Sequence, residues 1–272
     1  MSGTRTTVTF NGVDLTSLYV VSGWHAPLLT RKLDTVDISG LDGQRFLGAN
    51  LSPKKVTLRL TVKGTTLAAR EEAARTLAAT LNVDGLKPLT ASFMGDLYYL
   101  AIPTSDADLT RFVNADTFEV SFHVPDPVAY GQTKTVSGIQ LASGTNHRID
   151  VGGNYPTLPT VKLAVTRAQT TGDSYVQFRM NHYGSSNSLQ SYDFCAVDFA
   201  DLVSGTATTS GTIYIYSAER RYVYVGSIRE NMLPLVSDWP TLVAGRNQFN
   251  ITSGSIVNLS GTAEVTFTER WV

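Results

Sequence analysis

The sequence predicts a mainly β protein in two parts: an N-terminal α+β domain with one helix, at about 66–81, followed by a C-terminal β-sandwich. Three observations predict it. Thr66–Leu81 is the one stretch that reads convincingly as a helix. Short runs that alternate apolar and polar residues with period 2 recur through the rest of the chain. Pro125-Asp126-Pro127 then separates a first half of mixed signals from a second half of β signals alone. The boundary is placed near residue 132, giving 1–132 and 133–272, and a chain of 272 residues is long enough for two domains.

In the first part, Leu41–Phe46, flanked by Gly40, Gly43 and Gly48, reads as a turn or loop tip in a less regular segment. Val56–Val62 alternates as a half-buried strand does, and Gly64 breaks it. The helix is rich in Ala, the best helix former. Leu67, Ala74, Leu77, Ala78 and Leu81 form its expected apolar stripe, Glu71 and Arg75 are spaced to pair on the wet side, and Asn82 and Gly85 end it. Leu89–Phe93 and Leu97–Ile102 read as strands joined by a tight turn at Met94-Gly95-Asp96. In Phe118–Val124 the Phe and Val residues are expected inside, with Glu119, Ser121 and His123 outside. Gly131–Gly138 is mostly polar and reads as the connection.

The second part offers eight strand candidates: Val161–Val165, Val176–Met180, Cys195–Phe199, Gly211–Tyr216, Tyr222–Ile228, Asn247–Ile251, Ser255–Leu259 and Glu264–Trp271. Turn-rich segments at Asn181–Ser191, Asp201–Thr209, Pro234–Pro240 and Thr252–Gly254 separate them. Many short strands in ~140 residues suggest a sandwich or jelly roll.

Composition excludes several classes. Hydrophobic residues make up 42% of the chain, too many for a disordered protein. Only 17% of residues are charged, so neutral polar groups must cover the surface. The 22 basic and 23 acidic residues leave a net charge of −1, which argues against a nucleic-acid reader. One cysteine excludes an intrachain disulfide framework and a Cys-rich zinc site. No stretch approaches the ~20 apolar residues of a membrane-spanning helix. The opening Met1–Phe10 has no apolar leader core, so synthesis in a reducing cytosol is expected.

No catalytic constellation emerges. His25, His123, His147 and His182 each lie away from other His and Cys residues, so no zinc motif forms. His123 reads as a solvent-facing strand residue, and Cys195, between apolar neighbours, as a small core hydrophobe. Gly-x-Ser-x-Gly is absent, and Thr252-Ser253-Gly254-Ser255 reads as a glycine turn. Gly40–Gly48 and Gly152-Gly153 lack the Gly-Lys-Ser/Thr ending of a phosphate loop. Asp96, Asp106, Asp108, Asp116, Asp126, Asp193, Asp198, Asp201 and Asp238 are scattered, mostly at turns. No metal, cofactor or enzymatic activity is therefore expected. The aromatic residues carry the single binding hint: Tyr214, Tyr216, Tyr222, Tyr224 and Trp239 are candidates for a weak sugar or protein contact. Tyr214 and Tyr216 share one strand face, as do Tyr222 and Tyr224, and a core role stays open for either pair.

The order of several phrases resembles one family. Val8-Thr9-Phe10-Asn11-Gly12-Val13-Asp14-Leu15 followed by Tyr19-Val20-Val21, then Asp42-Gly43, the Val56–Val62 strand and the Ala-rich helix, is similar to the first domain of siphophage distal tail proteins (the Dit family). Phe118–Gly131, with its Asp126-Pro127 turn, resembles the strand that closes that domain. Gly152–Pro159 is similar to the opening of the family's second domain, and Trp239–Asn247 and Glu264–Trp271 to its end. The resemblance implies a hexameric ring at the virion tail tip, made in the host cytoplasm. In that arrangement the first domain surrounds a central channel and a galectin-like second domain projects outward. The ring would join the tail tube protein to the hub or tail-associated protein, with receptor-binding or fibre proteins attached and DNA passing through unread. A ring needs a heterologous interface that closes by rotation, for which exposed edge strands and the long loop after Val21 are available. The alternatives are a carbohydrate-binding module contacting host wall sugars, a tail tube protein, and a glycosidase resting on the scattered carboxylates.

Overall fold

The structure, a computed structural model, describes residues 6–40, 42–63, 66–104, 108–111, 116–167, 175–183, 188–199, 209–226, 238–252 and 256–272. The chain divides into two compact units, Met1–Tyr130 with Val272, and Gly131–Trp271.

The first unit contains β1 (Val8–Phe10), β2 (Val13–Asp14), β3 (Tyr19–His25), β4 (Arg31–Asp37), β5 (Gln44–Leu51), β6 (Lys54–Val62), α1 (Leu67–Leu81), β7 (Lys87–Ala91), β8 (Tyr99–Pro103), β9 (Asp108–Arg111) and β10 (Asp116–Val124). Eight strands form one sheet in the order β2-β1-β7-β8-β10-β6-β3, with β9 beside β10. The alternation read in β6 and β10 has a direct cause. Val56 lies opposite Phe122, Leu58 opposite Val120 and Leu60 opposite Phe118, and all six are buried. Glu119 and His123 face water, but Ser121, expected with them, is buried, its hydroxyl 3.3 Å from that of Thr57.

Helix α1 starts where Thr66 Oγ1 accepts the Ala69 N–H at 3.2 Å, an N-cap bond. Its buried line runs through Ala73 and Leu77, with Ala74 and Leu81 at the margin. Leu67 is 62% exposed and Ala78 is exposed, so the expected stripe is rotated. The contact is made through alanine because the sheet approaches closely there: the Tyr19 hydroxyl, buried below the helix, donates to the Ala73 carbonyl. Burial pushes the Tyr19 phenol up to about 12, so it remains a neutral donor. Arg75 meets Glu72, three residues back, at 3.5 Å. The next strands also differ slightly from expectation. A short 3-10 turn, Ser92–Met94, follows β7, and β8 begins at Tyr99.

The second unit contains β11 (Ala129–Gln140), β12 (Asn146–Val151), β13 (Thr160–Arg167), β14 (Tyr175–Tyr183), β15 (Leu189–Asp198), β16 (Thr209–Tyr216), β17 (Arg221–Gly226), β18 (Gly245–Asn250), β19 (Ile256–Val257) and β20 (Leu259–Trp271). They form two five-stranded sheets, β11-β20-β13-β16-β17 and β12-β18-β14-β15 with β19 beside β14. Both sheets contribute to one core, which makes the unit a β-sandwich: Leu163, Ile213 and Val265 come from the first, Ile149, Phe178 and Phe249 from the second. The Phe178 and Phe249 rings stack with centroids 4.6 Å apart.

Two strands depart from the sequence expectation. Gly131–Gly138, which reads as a polar connection, lies inside β11, and β12 has no counterpart among the strand candidates. The first is an edge strand with one wet side, where Thr133 and Thr135 meet the Thr268 and Thr266 hydroxyls at 2.9 and 3.0 Å. The expected turn at Asn181–Ser191 is narrower, since β14 runs to Tyr183 and β15 starts at Leu189. Residues 201–208 and 234–237 of the expected turn-rich segments lie outside the described residues. Among the described residues no helix is long and apolar enough to cross a membrane.

Candidate functional site

The five aromatic candidates do not form one site. Along β16, Ile213 and Ile215 enter the core, so Tyr214 and Tyr216 stand on the outer face. Their rings lie 6.2 Å apart and nearly parallel, at 19°. Lys162, opposite Tyr214, places its Nζ 5.9 Å from that ring. Arg221, opposite Tyr216, places its guanidinium 4.3 Å from the second ring. The row is therefore cation, ring, ring, cation, and its members contact one another through the ring faces. Tyr222 lies opposite Ile215 and packs against the core, as does Trp239. Tyr224 lies opposite Ile213, and its side chain is outside the description.

Residues remote in sequence meet around His182. The β14–β15 register sets His182 opposite Ser191, whose Oγ is 2.9 Å from Nδ1. His182 Nε2 is 2.9 Å from the Thr241 carbonyl and 3.5 Å from Asp193 Oδ2, and that carboxylate accepts the Thr241 N–H at 2.7 Å. Serine, histidine and aspartate are the residue types of a hydrolytic triad. Here they fasten a strap. The Cys195 thiol donates to the Asp238 carbonyl at 2.7 Å, and Phe194 exchanges bonds with Asp238 through its own N–H and C=O at 3.2 and 2.8 Å. Thr157 and Leu242 then pair through two 2.8 Å backbone bonds. Burial pulls the His182 pKa down, but the Asp193 carboxylate and the Thr241 carbonyl outweigh it, and the net shift is upward. Burial, with Asp193 and Asp238 nearby, pushes the Cys195 thiol up, so it stays protonated and serves as a donor. Sequence reasoning missed this cluster because only the strand register brings its members together. Among the described residues no group of three or more His, Cys, Asp and Glu could hold a metal.

The third feature is the segment read from sequence as a loop. β3 and β6 are neighbours in the first sheet, and between them the chain leaves as β4 and returns as β5, which pair only with each other. At ~3.4 Å per residue the arm is about 25 Å long. Its register gives it two unlike faces. Leu33, Ala49, Leu51 and Phe46 share one with Arg31, Thr35, Asp37 and Gln44, while Lys32, Asp34, Val36, Arg45 and Asn50 share the other, where Asn50 Nδ2 donates to Asp34 Oδ2 at 3.2 Å. Leu33, Phe46 and Leu47 are 61%, 62% and 64% exposed. The correction has a physical reason: neither face of the ribbon meets this chain's own core, so the pattern lacks the buried half by which a strand is recognised. A lone two-stranded ribbon is marginal in water, and large apolar side chains this exposed on it suit a contact surface.

Comparison with known proteins agrees with this architecture. Residues 13–124 match the family model of the phage tail protein RIFT-related domain. No curated protein matches the sequence. The crystal structure of the Dit protein (gp 19.1) of phage SPP1, described as a paradigm of the hub adsorption apparatus in phages infecting Gram-positive bacteria, is similar over 99% of this chain and 100% of that one. Its TM-score is 0.70 at 18% identity, a likeness of fold. A chain of the phage p2 baseplate in its activated conformation with Sr covers 97% of each chain at 9% identity and TM-score 0.42. A fructofuranosidase from Schwanniomyces occidentalis covers 88% of this chain and 60% of its own at 7% identity and TM-score 0.30. Neither of these last two is close enough to carry an inference.

Proposed function

We infer that this chain, which carries the phage tail RIFT-related domain and has the fold of a siphophage distal tail protein throughout, is a structural subunit of the phage tail tip. In this reading it assembles as a homohexameric ring around a central channel through which DNA passes. The ring joins the tail tube protein to the hub or tail-associated protein and to the adsorption apparatus, including fibre or receptor-binding proteins. It belongs to the virion tail and is made in the host cytoplasm. The observation that carries the reading is the fold likeness across both units, 99% of this chain and 100% of the Dit protein, rather than across the first unit alone. A tail tube protein would be matched by one domain.

The ribbon supports the ring. A heterologous ring needs one surface that reaches out and a different one that receives it. The protruding β4–β5 ribbon, with Leu33, Phe46 and Leu47 exposed, supplies the first. β3 is the last strand of the first unit's sheet, with its own Val20 and the preceding Leu18 exposed, and supplies a candidate for the second. The second unit, galectin-like in this reading, faces outward and carries partners. The role is architectural, not enzymatic: Ser191, His182 and Asp193 are already engaged in holding the strap.

Mass photometry of the full chain tests this. The expected particle has six times the 29.5 kDa subunit mass and appears as a ring in negative stain. Monomers alone at micromolar concentration, with the protein absent from the tail tip of virions, overturn it. Labelling along the tail shaft would favour the tube reading.

A further inference from the structure

The outer face of sheet β12-β18-β14-β15 carries a set of polar and aromatic side chains. Alternation sends Phe178, Met180 and Phe249 into the core and leaves Arg179, Tyr183, Arg246 and Gln248 partly exposed on the other side, with Asn181 buried between them. The register places Gln248, Asn181 and Tyr192 in one row across three strands. Tyr192 is 48% exposed. Arg179 lies on one side of this row, its guanidinium 4.7 Å from the Tyr192 ring. Arg246 lies on the other side, 4.7 Å from the Tyr183 ring, and the Tyr183 hydroxyl donates to Gln248 Oε1 at 2.8 Å. Four residues of strand separate the two arginine positions along the sheet, about 14 Å.

These contacts hold the side chains in place before any ligand arrives, which lowers the ordering cost of binding. Amide and guanidinium groups present planar donor and acceptor forks, suited to neighbouring hydroxyls and to carboxylate or phosphate. Arg148 is paired with Asp150 at 2.8 Å, so among the described side chains of the face the excess charge is that of Arg179 and Arg246, on a chain whose total charge is −1. That excess is too small for a nucleic-acid track, which neutralises many phosphates. We propose that this face binds an anionic saccharide chain, with its hydroxyls at Gln248, its carboxylate or phosphate groups at Arg179 and Arg246, and Tyr192 as the wall. The Tyr214–Tyr216 row lies on the opposite sheet and takes no part.

Binding of the full chain at 150 mM salt to immobilised polygalacturonate, phosphate-substituted dextran, plain dextran and single-stranded DNA tests the proposal. At least one charged saccharide is expected to bind, with plain dextran and DNA at least tenfold weaker. Tyr192→Ala and Arg179→Gln are each expected to weaken binding about tenfold, and Tyr214→Ala to leave it unchanged. Arg246→Gln provides a second charge variant should either of the first two lower the thermal midpoint. Failure of both charged saccharides to bind overturns the proposal, as does equal binding of DNA. So does unchanged binding in the folded Arg179 and Arg246 variants, or loss of binding on Tyr214→Ala alone. Ring formation is read separately by mass, so the two proposals fail independently.

Discussion

Gly153 shows how little freedom some single positions have. Its φ is +90°, and an added Cβ would lie 2.1 Å from the Arg270 carbonyl oxygen. That oxygen already accepts the N–H groups of Asn154 and Tyr155 at 3.1 and 3.2 Å. Gly153→Ala should therefore cost about 2–4 kcal/mol, seen as a lower urea midpoint with unchanged slope. Next to it, buried Glu269 accepts from Lys134 and from the Gly152 N–H at 2.8 Å. The Lys134 ammonium, helped by that N–H, holds the carboxyl below its ordinary range of about 4.5. A lowered carboxyl pKa stabilises the fold above the unfolded value, and the gain is lost as pH falls through the folded one. Glu269→Gln should accordingly destabilise at pH 7 and make little difference at pH 3. His182 behaves oppositely. Its folded pKa is raised, so its contribution is full below about 6.5 and is lost as pH rises through the folded value. His182→Gln should cost more at pH 5 than at pH 9 in urea unfolding, with the whole effect on the order of 1–3 kcal/mol. The sequence shows Cys195 as a core residue through its apolar neighbours. It shows nothing of the His182 cluster, whose members are spread from 182 to 241.

Elements with one buried side were legible, and those without one were not. β6, β10, β13 and β20 alternate because one face meets a core, and each reads directly from the chain. Edge strand β11 and the β4–β5 ribbon lack that contrast and were read as connections. The helix was legible in extent but not in orientation, because an Ala-rich surface offers several stripes of similar hydrophobicity. Leu77→Ala should cost about 2–4 kcal/mol, while Leu67→Ala should stay within about 0.5 kcal/mol. Thermal unfolding of the two variants distinguishes the observed face from the one expected. The ribbon gives the opposite signature. Phe46→Asp with Leu47→Asp should leave the subunit's own unfolding midpoint unchanged and remove the ring from mass photometry, since both side chains already face water in the single chain.

At the scale of the whole molecule, two cores share no residues, one around Phe122 and the other around Phe178. Phe122→Ala and Phe178→Ala should each cost about 3–5 kcal/mol and lower different transitions in calorimetry. The sequence by itself determined the mainly β class, the single helix, the change of character after Pro125-Asp126-Pro127 and the absence of any local catalytic motif, because each is written in neighbouring residues. Tertiary structure alone decided which tyrosines face out, that Ser191, His182 and Asp193 close on a strap, that a two-stranded arm stands clear of its own core, and that Arg179, Arg246 and Gln248 share one face. The reason is register. Local periodicity says that a strand has two sides, but only its pairing partners determine which residues from distant strands share a side.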